Sequence, residues 1–575
     1  MVVPDFKKEF AERVEQVLQK LSIPSPGVET LISFMTIPPS VEKGNISLPV
    51  FKFTPAEKNP TAFALQLTAN LHADTTFEKF QAMGPYLNAF VSIRVYAQHS
   101  LSCAEKVSPV PTKESPLVIV EYASPNTNKP LHMGHLRNIA LADSIIRLLQ
   151  HEGKRVLRTQ IVNNRGVHIC KSMLAYQKWG NNKTPETEKM KPDHFVGKYY
   201  TLFAQQMEKD EKLEQDAQNL LLKWEQGDEK TIALWKKMNA WAEKGWKETF
   251  EKVGAVFDQN YYESEIYEHG KEVVQKGLEK GLFIQAENGG IIAPLEKKYH
   301  VPDKPIMRGD GTSLYITQDI YLAMKRFEDY PDAERIIYVV GNEQEMHFKQ
   351  LFAILDLLGF EQGKKCHHLG YGLLVLPSGK MSSRMGTVVN ADDVIAELEK
   401  MALLEYQKRS PEIDDDEVRR RSQVVALAAL KFFMVKQDAK KELVFDPKES
   451  LSFDGQTGPY LLYTNARIQS ILRKTTRKPS TDAVGLLTLP KEREILALLS
   501  RKQEIITSTL THYSPHVLAH YLLELANTFN SYYHDTKVIQ ENESLEKARL
   551  ALLKGIHHVF DEGLFILGIE TLKEM

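Results

Sequence analysis

The sequence predicts two architectures in one chain, an α/β part built on a doubly wound parallel sheet and an all-α helical bundle after it. Two strand–helix–strand units, LVIVEY to VLRTQIV and RIIYVVG to HHLGYG, predict the sheet. Apolar residues at helical spacing from Thr457 to Met575 predict a bundle of roughly five helices. In an open sheet of this kind, ligands bind at the carboxyl ends of the strands.

Four regions follow one another along the chain. The first is predicted to be a small α+β domain that begins with a helix near residues 5–21. The second is predicted to hold the parallel sheet with a helical insertion. The third predicts a helical linker and the fourth the bundle. In order, the predicted ranges are 1–110, 111–390 with the insertion at about 180–300, 391–456 and 457–575.

Composition excludes several classes of protein. The 575 residues carry 73 Lys and Arg against 75 Asp and Glu, a net charge of −2 that excludes a uniformly basic nucleic-acid coat. The longest apolar stretch, VVALAAL, is far shorter than the ~20 residues that span a bilayer. The N-terminus lacks the apolar core of a secretory signal. Three cysteines without a CxxC pair suit the cytoplasm and predict no zinc site.

The insertion is dense in charge and aromatic residues. Trp224, Trp235 and Trp246 are spaced by eleven, which predicts one helical face presenting all three. Two interpretations are open, a packed helical core and a platform for stacking bases, and the first is favoured. Gly227 and Gly245 are predicted breaks in the helix.

The strongest local motif is HMGH, His132 to His135, where the loop after the first strand enters a helix. A helix start offers unpaired N–H groups and a positive dipole end, which suit a triphosphate. Two histidines three residues apart share a face and can donate to phosphate oxygens. Gly134 leaves room for an adenine or ribose against the backbone. Alone, HxGH also occurs by chance as surface histidines.

A second motif, PSGKMSSRMGTVV at 377–389, follows the last predicted strand. Lys380 and Arg384 suit the neutralisation of β and γ phosphates, and Ser382 and Ser383 add hydroxyl donors. Such a loop in isolation is more often a solvated turn. Both motifs in this order on a split strand–helix–strand frame predict an ATP site instead.

These motifs resemble HIGH and KMSKS, the two ATP-binding motifs of class I aminoacyl-tRNA synthetases. SPNTNKPLHMGHLRN resembles the arginyl-tRNA synthetase form of the first motif, and GPYLLYTNARIQSILRK is similar to the opening of that family's anticodon-binding bundle. The resemblance covers essentially the whole chain. It implies a Rossmann-type catalytic domain and the use of ATP with Mg²⁺.

The resemblance also implies site residues. Those that bind ATP are His132, Gly134, His135, Lys380, Met381, Ser382, Ser383 and Arg384. The second lysine of KMSKS is absent, since Ser383 stands there with Arg384 next to it. The catalytic residues that the resemblance implies are His132, His135 and Lys380, together with Lys129, because the family contains members that rely on a lysine at that place. VNNRGVH, 162–168, replaces the DWGxQ-like segment of many relatives. Asn164 and His168 are therefore weaker candidates for site residues.

An arginine substrate needs fixed carboxylates, because its guanidinium is planar and permanently charged. Glu121 ends the first predicted strand, and Tyr315 and Asp319 lie four apart on one helical face. Taken singly, each is a helix cap or a surface ion pair. By the resemblance these three hold the guanidinium, while Asn126 and Gln344 contact the α-amino and carboxylate groups.

Predicted tRNA contacts lie in two regions. Residues 418–480 carry 13 Lys and Arg against five acids, which predicts a track for the tRNA backbone, with a solvated helix face as the alternative. Tyr460, Tyr463 and Arg467 are candidates for base stacking. MGPYLNAFVS resembles the family segment that contacts the tRNA elbow, which makes Asn88 and Phe90 candidates there.

The sequence thus predicts a cytoplasmic, monomeric enzyme without membrane contact that activates L-arginine with ATP and charges tRNA(Arg). One rival is a small-molecule adenylyltransferase, which explains HxGH but neither the bundle nor the basic stretch. A second is a non-catalytic RNA-binding relative, which the intact His132, His135 and Lys380 disfavour. No editing domain is predicted, since a guanidinium site rejects uncharged analogues strongly.

Overall fold

The computed structural model describes residues 5–375, 389–409 and 414–575. The N-terminal part consists of α1 (Phe6–Lys20), α2 (Val28–Phe34), β1 (Ile46–Pro49), α3 (Pro60–Asn70), β2 (Phe77–Met83), β3 (Tyr86–Val91) and α4 (Ile93–Ala104). Its strands form an antiparallel sheet in the order β1-β3-β2. The helices cover one face of this sheet around a separate core that includes Phe10, Phe63 and Leu87. The predicted α+β domain is therefore present.

The middle of the chain holds a parallel sheet. Its strands and those near it are β4 (Leu117–Glu121), β5 (Arg155–Val162), β6 (Gln259–Tyr262), β7 (Ile284–Gln285), β8 (Ile291–Ala293), β9 (Lys304–Met307), β10 (Ala333–Gly341), β11 (Cys366–Tyr371) and β12 (Leu374–Val375). Five of them pair in the order β11-β10-β4-β5-β6, all parallel. All five residues of β4 are buried, as expected for a central strand covered on both faces. The predicted fold class is confirmed.

Helices connect these strands. They are α5 (Met133–His151), α6 (Val167–Trp179), α7 (Pro192–Met207), α8 (Lys212–Glu225), α9 (Glu229–Val253), α10 (Glu263–Glu279), α11 (Glu296–Tyr299), α12 (Tyr315–Asp329) and α13 (Glu345–Leu357). Within the range of about 180–300 predicted for the insertion, residues 259–262 form β6, which pairs with β5 in the main sheet. The insertion beside the sheet is formed by α7, α8 and α9.

The three tryptophans do not lie on one continuous helix. Gly227 has a φ of +78° and separates α8, which carries Trp224, from α9, which carries Trp235. Helix α9 runs through Gly245 without a break. A Cβ at this position would lie 2.2 Å from Asp193 Oδ1, so glycine permits close packing of α9 against the start of α7. Trp246 is buried, and the Trp224 and Trp235 rings meet edge to face at 5.4 Å. These contacts are those of a packed core.

The rest of the described chain is mostly helical. It comprises α14 (Ala391–Arg409), α15 (Asp415–Val435), β13 (Leu443–Val444), α16 (Pro447–Ser450), α17 (Gly458–Lys474), α18 (Pro490–Ser500), α19 (Lys502–His512), α20 (Pro515–Asp535) and α21 (Glu543–Ile566). Helices α17 to α21 form the predicted bundle. Within the described part of the chain, none of the helices has the length and apolar character needed to span a bilayer.

Helix α5 joins the sheet to the bundle. It is buried along most of its length and packs on β4, β5 and β10 as well as on α15, α19, α20 and α21. Ile145 of α5 and Leu522 and Phe560 of the bundle belong to one continuous cluster of buried apolar side chains. At the end of α5, His151 Nε2 lies 2.7 Å from Glu562 Oε1. The HMGH motif and the bundle are thus attached to the same rigid element.

Candidate active site

The HMGH motif forms the start of α5. His132 is the N-cap: its Nδ1 accepts the Gly134 N–H at 3.1 Å, and its own N–H donates to His135 Nδ1 at 3.1 Å. Because each Nδ1 accepts a hydrogen bond, a neutral ring carries its proton on Nε2. A Cβ at residue 134 would lie 2.9 Å from His132 Cε1, so Gly134 also leaves space for that ring.

The electrostatics of this motif favour neutral imidazoles. Burial and the nearby Lys129 ammonium lower the pKa of His132 to about 4. Burial, His132 and Lys129 together hold the pKa of His135 well below its ordinary value. Burial also lowers the pKa of Lys129 itself. Near neutral pH the two rings are therefore uncharged donors with a lysine close by.

A cavity of about 470 Å³ opens in front of the motif at the carboxyl ends of the central strands. Its lining residues are Ala123, Ser124, His132, Gly134, His135, Asn138, Val339, Val340, Gly341, Glu343, Gln344, Tyr371, Gly372, Leu373, Leu374 and Val375. Ala123 and Ser124 have positive φ values of 62° and 43°, a strained conformation typical of functional loops. The Asn138 side chain accepts from Ala123 N and donates to Val339 O, both at 2.6 Å, and so ties α5 to two strand ends.

The second motif lies largely outside the described residues. Lys380, Met381, Ser382, Ser383 and Arg384 belong to 376–388, so their predicted roles stay predictions. The chain returns beside HMGH: Met133 N donates to Val389 O at 3.3 Å, and Ala391 N to Leu131 O at 3.0 Å. The described residues on its two sides, Val375 and Val389, therefore lie at the cavity and beside the first motif.

An ionic cluster anchors the returning segment. Asp392 Oδ2 lies 2.8 Å from Lys191 Nζ and 2.8 Å from His194 Nε2, which joins α14 to α7. Asp193, His194 and Asp392 form the one group of three potential metal ligands found among the described residues. The Lys191 ammonium already supplies a cation to this group, so it is a structural ion-pair network.

A second polar region, formed by carboxylates, lies at the ends of β4 and β6. Asp319 lies on α12, and its Oδ2 is 2.6 Å from His347 Nε2 on α13. Glu263 begins α10 directly after β6, is buried, and accepts from Gln318 Nε2 at 3.1 Å. Burial raises the pKa of Glu263 to about 7, with the Asp319 carboxylate adding to the effect. Sequence reasoning had not identified His347 or Glu263.

Glu121 has a partner that the sequence did not indicate. Arg326, on α12, is fully buried, forms an ion pair with Glu121, and lies 5.0 Å from the Tyr261 ring centroid. Burial opposes the Arg326 charge, but Glu121 together with Tyr338 and Tyr261 outweighs burial and raises the pKa of Arg326. Asp319 adds negative charge beside Glu121. The Glu121 carboxylate is thus already paired with Arg326 before any ligand binds.

The other predicted ligands of arginine are open to solvent. Tyr315 is 65 % exposed at the start of α12. Gln344 is exposed and lines the cavity, three residues before His347. Asn126 is exposed in the loop after β4, where it forms a bridge to Asn163. Asn164 is instead buried and exchanges hydrogen bonds with Ser264, whereas His168 is exposed.

The candidate tRNA contacts differ in accessibility. Asn88 is only 3 % exposed and accepts from Ser47 Oγ at 2.6 Å, so it joins two strands and offers RNA no exposed surface in this conformation. Phe90 is half-buried beneath Lys79 Nζ. In the basic stretch, Lys431 and Lys436 are buried and paired with acids. Part of the predicted positive track is therefore internal.

A basic groove of about 1060 Å³ crosses the bundle. Tyr463 and Arg467 line it, with the guanidinium 4.5 Å from the Tyr463 ring centroid and 5.6 Å from that of Tyr533. Tyr460 does not line the groove; its hydroxyl bonds Asn527 and Asn530 in the bundle. Arg473, Lys474 and Lys537 add positive charge to the rim.

Comparison with known proteins gives one consistent result along the chain. Residues 8–91 match the arginyl tRNA synthetase N terminal domain, 98–447 the catalytic domain of tRNA synthetases class I (R), and 461–575 the DALR anticodon binding domain. Arginine–tRNA ligase of Treponema denticola is 42 % identical over 561 residues, which cover 94 % of each chain. That of Parabacteroides distasonis is 40 % identical over 563 residues, covering 93 % of this chain and 94 % of the relative.

Solved structures agree. Thermus thermophilus arginyl-tRNA synthetase superposes with a TM-score of 0.80 at 26 % identity, over 99 % of this chain and 100 % of that one. Arginyl-tRNA synthetase from Plasmodium falciparum shares the fold, with a TM-score of 0.77 at 19 % identity over the full length of both chains. The chain belongs to the arginyl-tRNA synthetase family of class I tRNA synthetases.

Proposed function

We propose that the protein activates L-arginine with ATP and transfers the arginyl group to the 3′ end of tRNA(Arg). The arginine carboxylate attacks the α-phosphorus, and the bond to the bridging oxygen breaks to release diphosphate. A hydroxyl of the terminal ribose of tRNA then attacks the carbonyl carbon, and AMP leaves. The observation that carries this proposal is the HMGH cavity at the carboxyl ends of the central strands, whose lining residue Gln344 lies three residues before His347, the partner of Asp319. Catalysis is by positioning and charge stabilisation.

His132 and His135 act as neutral donors to the α-phosphate. Their Nδ1 atoms are engaged by backbone N–H groups, which directs both Nε2–H groups away from the helix start. A donor whose position is fixed before reaction stabilises developing charge without reorganisation. Lys129, half-buried beside them, supplies the positive charge, and Lys380 and Arg384 are the cations we assign to the β and γ phosphates.

ATP enters as its Mg²⁺ complex. Mg²⁺ keeps several waters and is held by phosphates together with one or two carboxylates. Glu343 provides a carboxylate in the lining of the cavity and fits this requirement. The ion would neutralise the departing diphosphate.

Asp319, Glu263 and Tyr315 are the residues we assign to the substrate guanidinium. Asp319 is oriented by His347 and Glu263 by Gln318, so both carboxylates are fixed before the ligand arrives. Glu121 contributes together with Arg326 as an ion pair beneath them. Asn126 and Gln344, both exposed at the mouth, are assigned to the α-amino and carboxylate groups.

The pKa of Glu263 makes arginine binding depend on pH. With a pKa of about 7, Glu263 is mostly protonated at pH 6 in the free enzyme and ionised at pH 8. The cationic substrate binds the ionised form, so one proton is released on binding at low pH. The KM for arginine should therefore fall about tenfold from pH 6 to pH 8.

Steady-state pyrophosphate exchange across this pH range measures the effect. Glu263→Gln keeps the acceptor for Gln318 and should give a KM for arginine that is higher and independent of pH. The KM for ATP in the same samples serves as the internal control. A pH profile that persists in Glu263→Gln would assign the titration to another group.

The basic groove is the surface we assign to the anticodon loop. Stacking of a base on an aromatic ring contributes about 1–3 kcal/mol. Tyr533, 38 % exposed and in contact with Arg467, should stack a base, as should Tyr463.

Tyr533→Ala should raise the KM for tRNA about tenfold in aminoacylation and leave the KM values for ATP and arginine within about twofold. Phe565→Ala, which removes an exposed aromatic ring of α21 outside the groove, is the matched control for loss of an aromatic surface. Equal effects of the two substitutions would contradict an anticodon role for Tyr533.

The decisive test of the activity is pyrophosphate exchange with each amino acid in turn, with and without tRNA. Exchange driven by arginine alone supports the proposal. Exchange driven by a different amino acid would refute the substrate, and no exchange even with tRNA would favour an RNA-binding protein. The monomeric state and the cytoplasmic location stay predictions of the sequence, which sedimentation and cell fractionation check.

A further inference from the structure

Arg137 is a buried arginine just inside α5, two residues after His135. Its side chain is inaccessible to solvent and makes four hydrogen bonds to backbone carbonyls. Nη1 donates to Gly372 O at 2.6 Å and to Leu373 O at 3.0 Å. Nη2 donates to Ala439 O at 3.0 Å and to Lys441 O at 2.8 Å. One guanidinium thus holds three separate parts of the chain together.

The bonded segments form one wall of the cavity in front of HMGH. Residues 372–375 line the cavity directly. Residues 439–445 support them from behind, since Gly372 N donates to Ala439 O at 2.8 Å and Leu443 N to Leu373 O at 2.9 Å. Strands β12 and β13 continue this pairing in parallel. Asn138 Nδ2 also donates to the Tyr371 hydroxyl beside the wall at 3.2 Å. Among the described residues, Arg137 is the α5 side chain that bonds the backbone carbonyls of 372–373 and 439–441, so it fixes these segments relative to His132 and His135.

The charge of Arg137 is costly for folding. Among the described residues, no carboxylate forms an ion pair with it, and its acceptors are neutral carbonyls. Burial lowers its pKa to about 10, so the side chain is still protonated near neutral pH. A buried charge without an ionic partner is unfavourable compared with an apolar side chain of the same volume. Packing alone therefore does not account for an arginine here.

We propose that Arg137 is a positioning residue for ATP, which fixes the cavity wall 372–375 against the helix that carries HMGH. Arg137 does not line the cavity, so it acts through the carbonyls of the wall. The carboxylates Asp319 and Glu263 lie on other elements and make no hydrogen bond to this wall among the described residues. The inference rests on the proposed assignment of this cavity to ATP. It predicts a defect in ATP use that is separate from arginine use.

The test compares Arg137→Met and Arg137→Lys with the wild-type enzyme in pyrophosphate exchange with tRNA present. Methionine keeps the apolar volume and loses all four bonds, whereas lysine keeps the charge and part of the bonding. Arg137→Met should raise the KM for ATP about thirtyfold, and Arg137→Lys about fivefold, with the KM for arginine changed less than twofold. If Arg137→Met does not fold, the two KM values of Arg137→Lys still test the proposal.

Arg549→Met is the matched control. Arg549 is also a buried arginine, bonded to Glu492 Oε1 at 2.8 Å and to Lys537 O at 2.8 Å inside the bundle. It should lower the melting temperature without separating the two KM values. Equal rises in both KM values for the Arg137 variants, or a lower melting temperature with both KM values unchanged, would overturn the proposal.

The test is distinguishable from a failure of the proposed function. If the wild-type enzyme shows no arginine-dependent exchange, the proposed function is refuted, and calorimetry of ATP binding to wild-type and Arg137→Lys protein then decides the positioning role. Weaker ATP binding by the variant supports that role. Equal ATP affinities overturn it.

Discussion

His135→Asn should lower kcat for adenylate formation about 100- to 1000-fold and leave the melting temperature nearly unchanged. Removal of one preorganised donor to a developing charge has an effect of this order. Asparagine can accept the His132 N–H with its side-chain oxygen, as His135 Nδ1 does at 3.1 Å, so the helix start is retained. Only the Nε2–H group is lost. Pyrophosphate exchange measures kcat, and thermal unfolding followed by circular dichroism measures stability.

His135→Gln is the complementary variant. Its amide lies near the position of Nε2 and loses the bond to His132 N–H, so kcat should fall less while the melting temperature drops. The reverse ranking of the two variants in kcat would show that His135 acts by capping the helix and makes no contribution to phosphate chemistry.

Asp319→Ala should raise the KM for arginine about 100-fold and change the KM for ATP less than twofold. Truncation of one partner of a desolvated, hydrogen-bonded charge pair costs about 2–5 kcal/mol, and about 1.4 kcal/mol corresponds to a factor of ten. The substitution also leaves His347 without its acceptor. Initial rates of exchange at varied arginine and at varied ATP give both constants.

Asp329→Asn is the control for Asp319→Ala, because Asp329 lies on the same helix and forms a surface pair with Lys325. Exposed pairs contribute about 0–1 kcal/mol, so neither KM should move. Similar rises in both KM values for Asp319→Ala would remove Asp319 from the guanidinium subsite.

The local pattern of apolar and polar residues was sufficient to predict most of the fold. Strand β4 is an apolar run that is buried throughout, and β10 is apolar and buried from Ile336 to Val339. Helix α5 has apolar residues at helical spacing and follows β4 after residues 122–132, so both strand–helix–strand units were predictable. Strand β6 was missed because its four residues, QNYY, are polar or aromatic, lie at the edge of the sheet and lack an apolar pattern. Glu263 follows β6 directly, so the missed strand also hid this carboxylate at a strand end.

Long-range pairing limited the prediction of the site. HMGH was predictable because its geometry depends on residues three positions apart, as in any capped helix. The pair of His347 with Asp319 joins two helices across 28 positions, and that of Arg326 with Glu121 joins a helix to a distant strand. No periodicity encodes such contacts. The Arg137 bonds, which span 235 to 304 positions, were inaccessible for the same reason.

The apolar cluster shared by α5 and the bundle also governs how this chain must be assembled. A fragment that ends before residue 457 would expose the buried faces of α5 and α15 to water, a large apolar patch that favours aggregation. The bundle alone would expose the matching faces of α20 and α21. Each half alone is therefore expected to be less stable than the whole chain, because the helix that carries the nucleotide cavity packs its other side against the bundle.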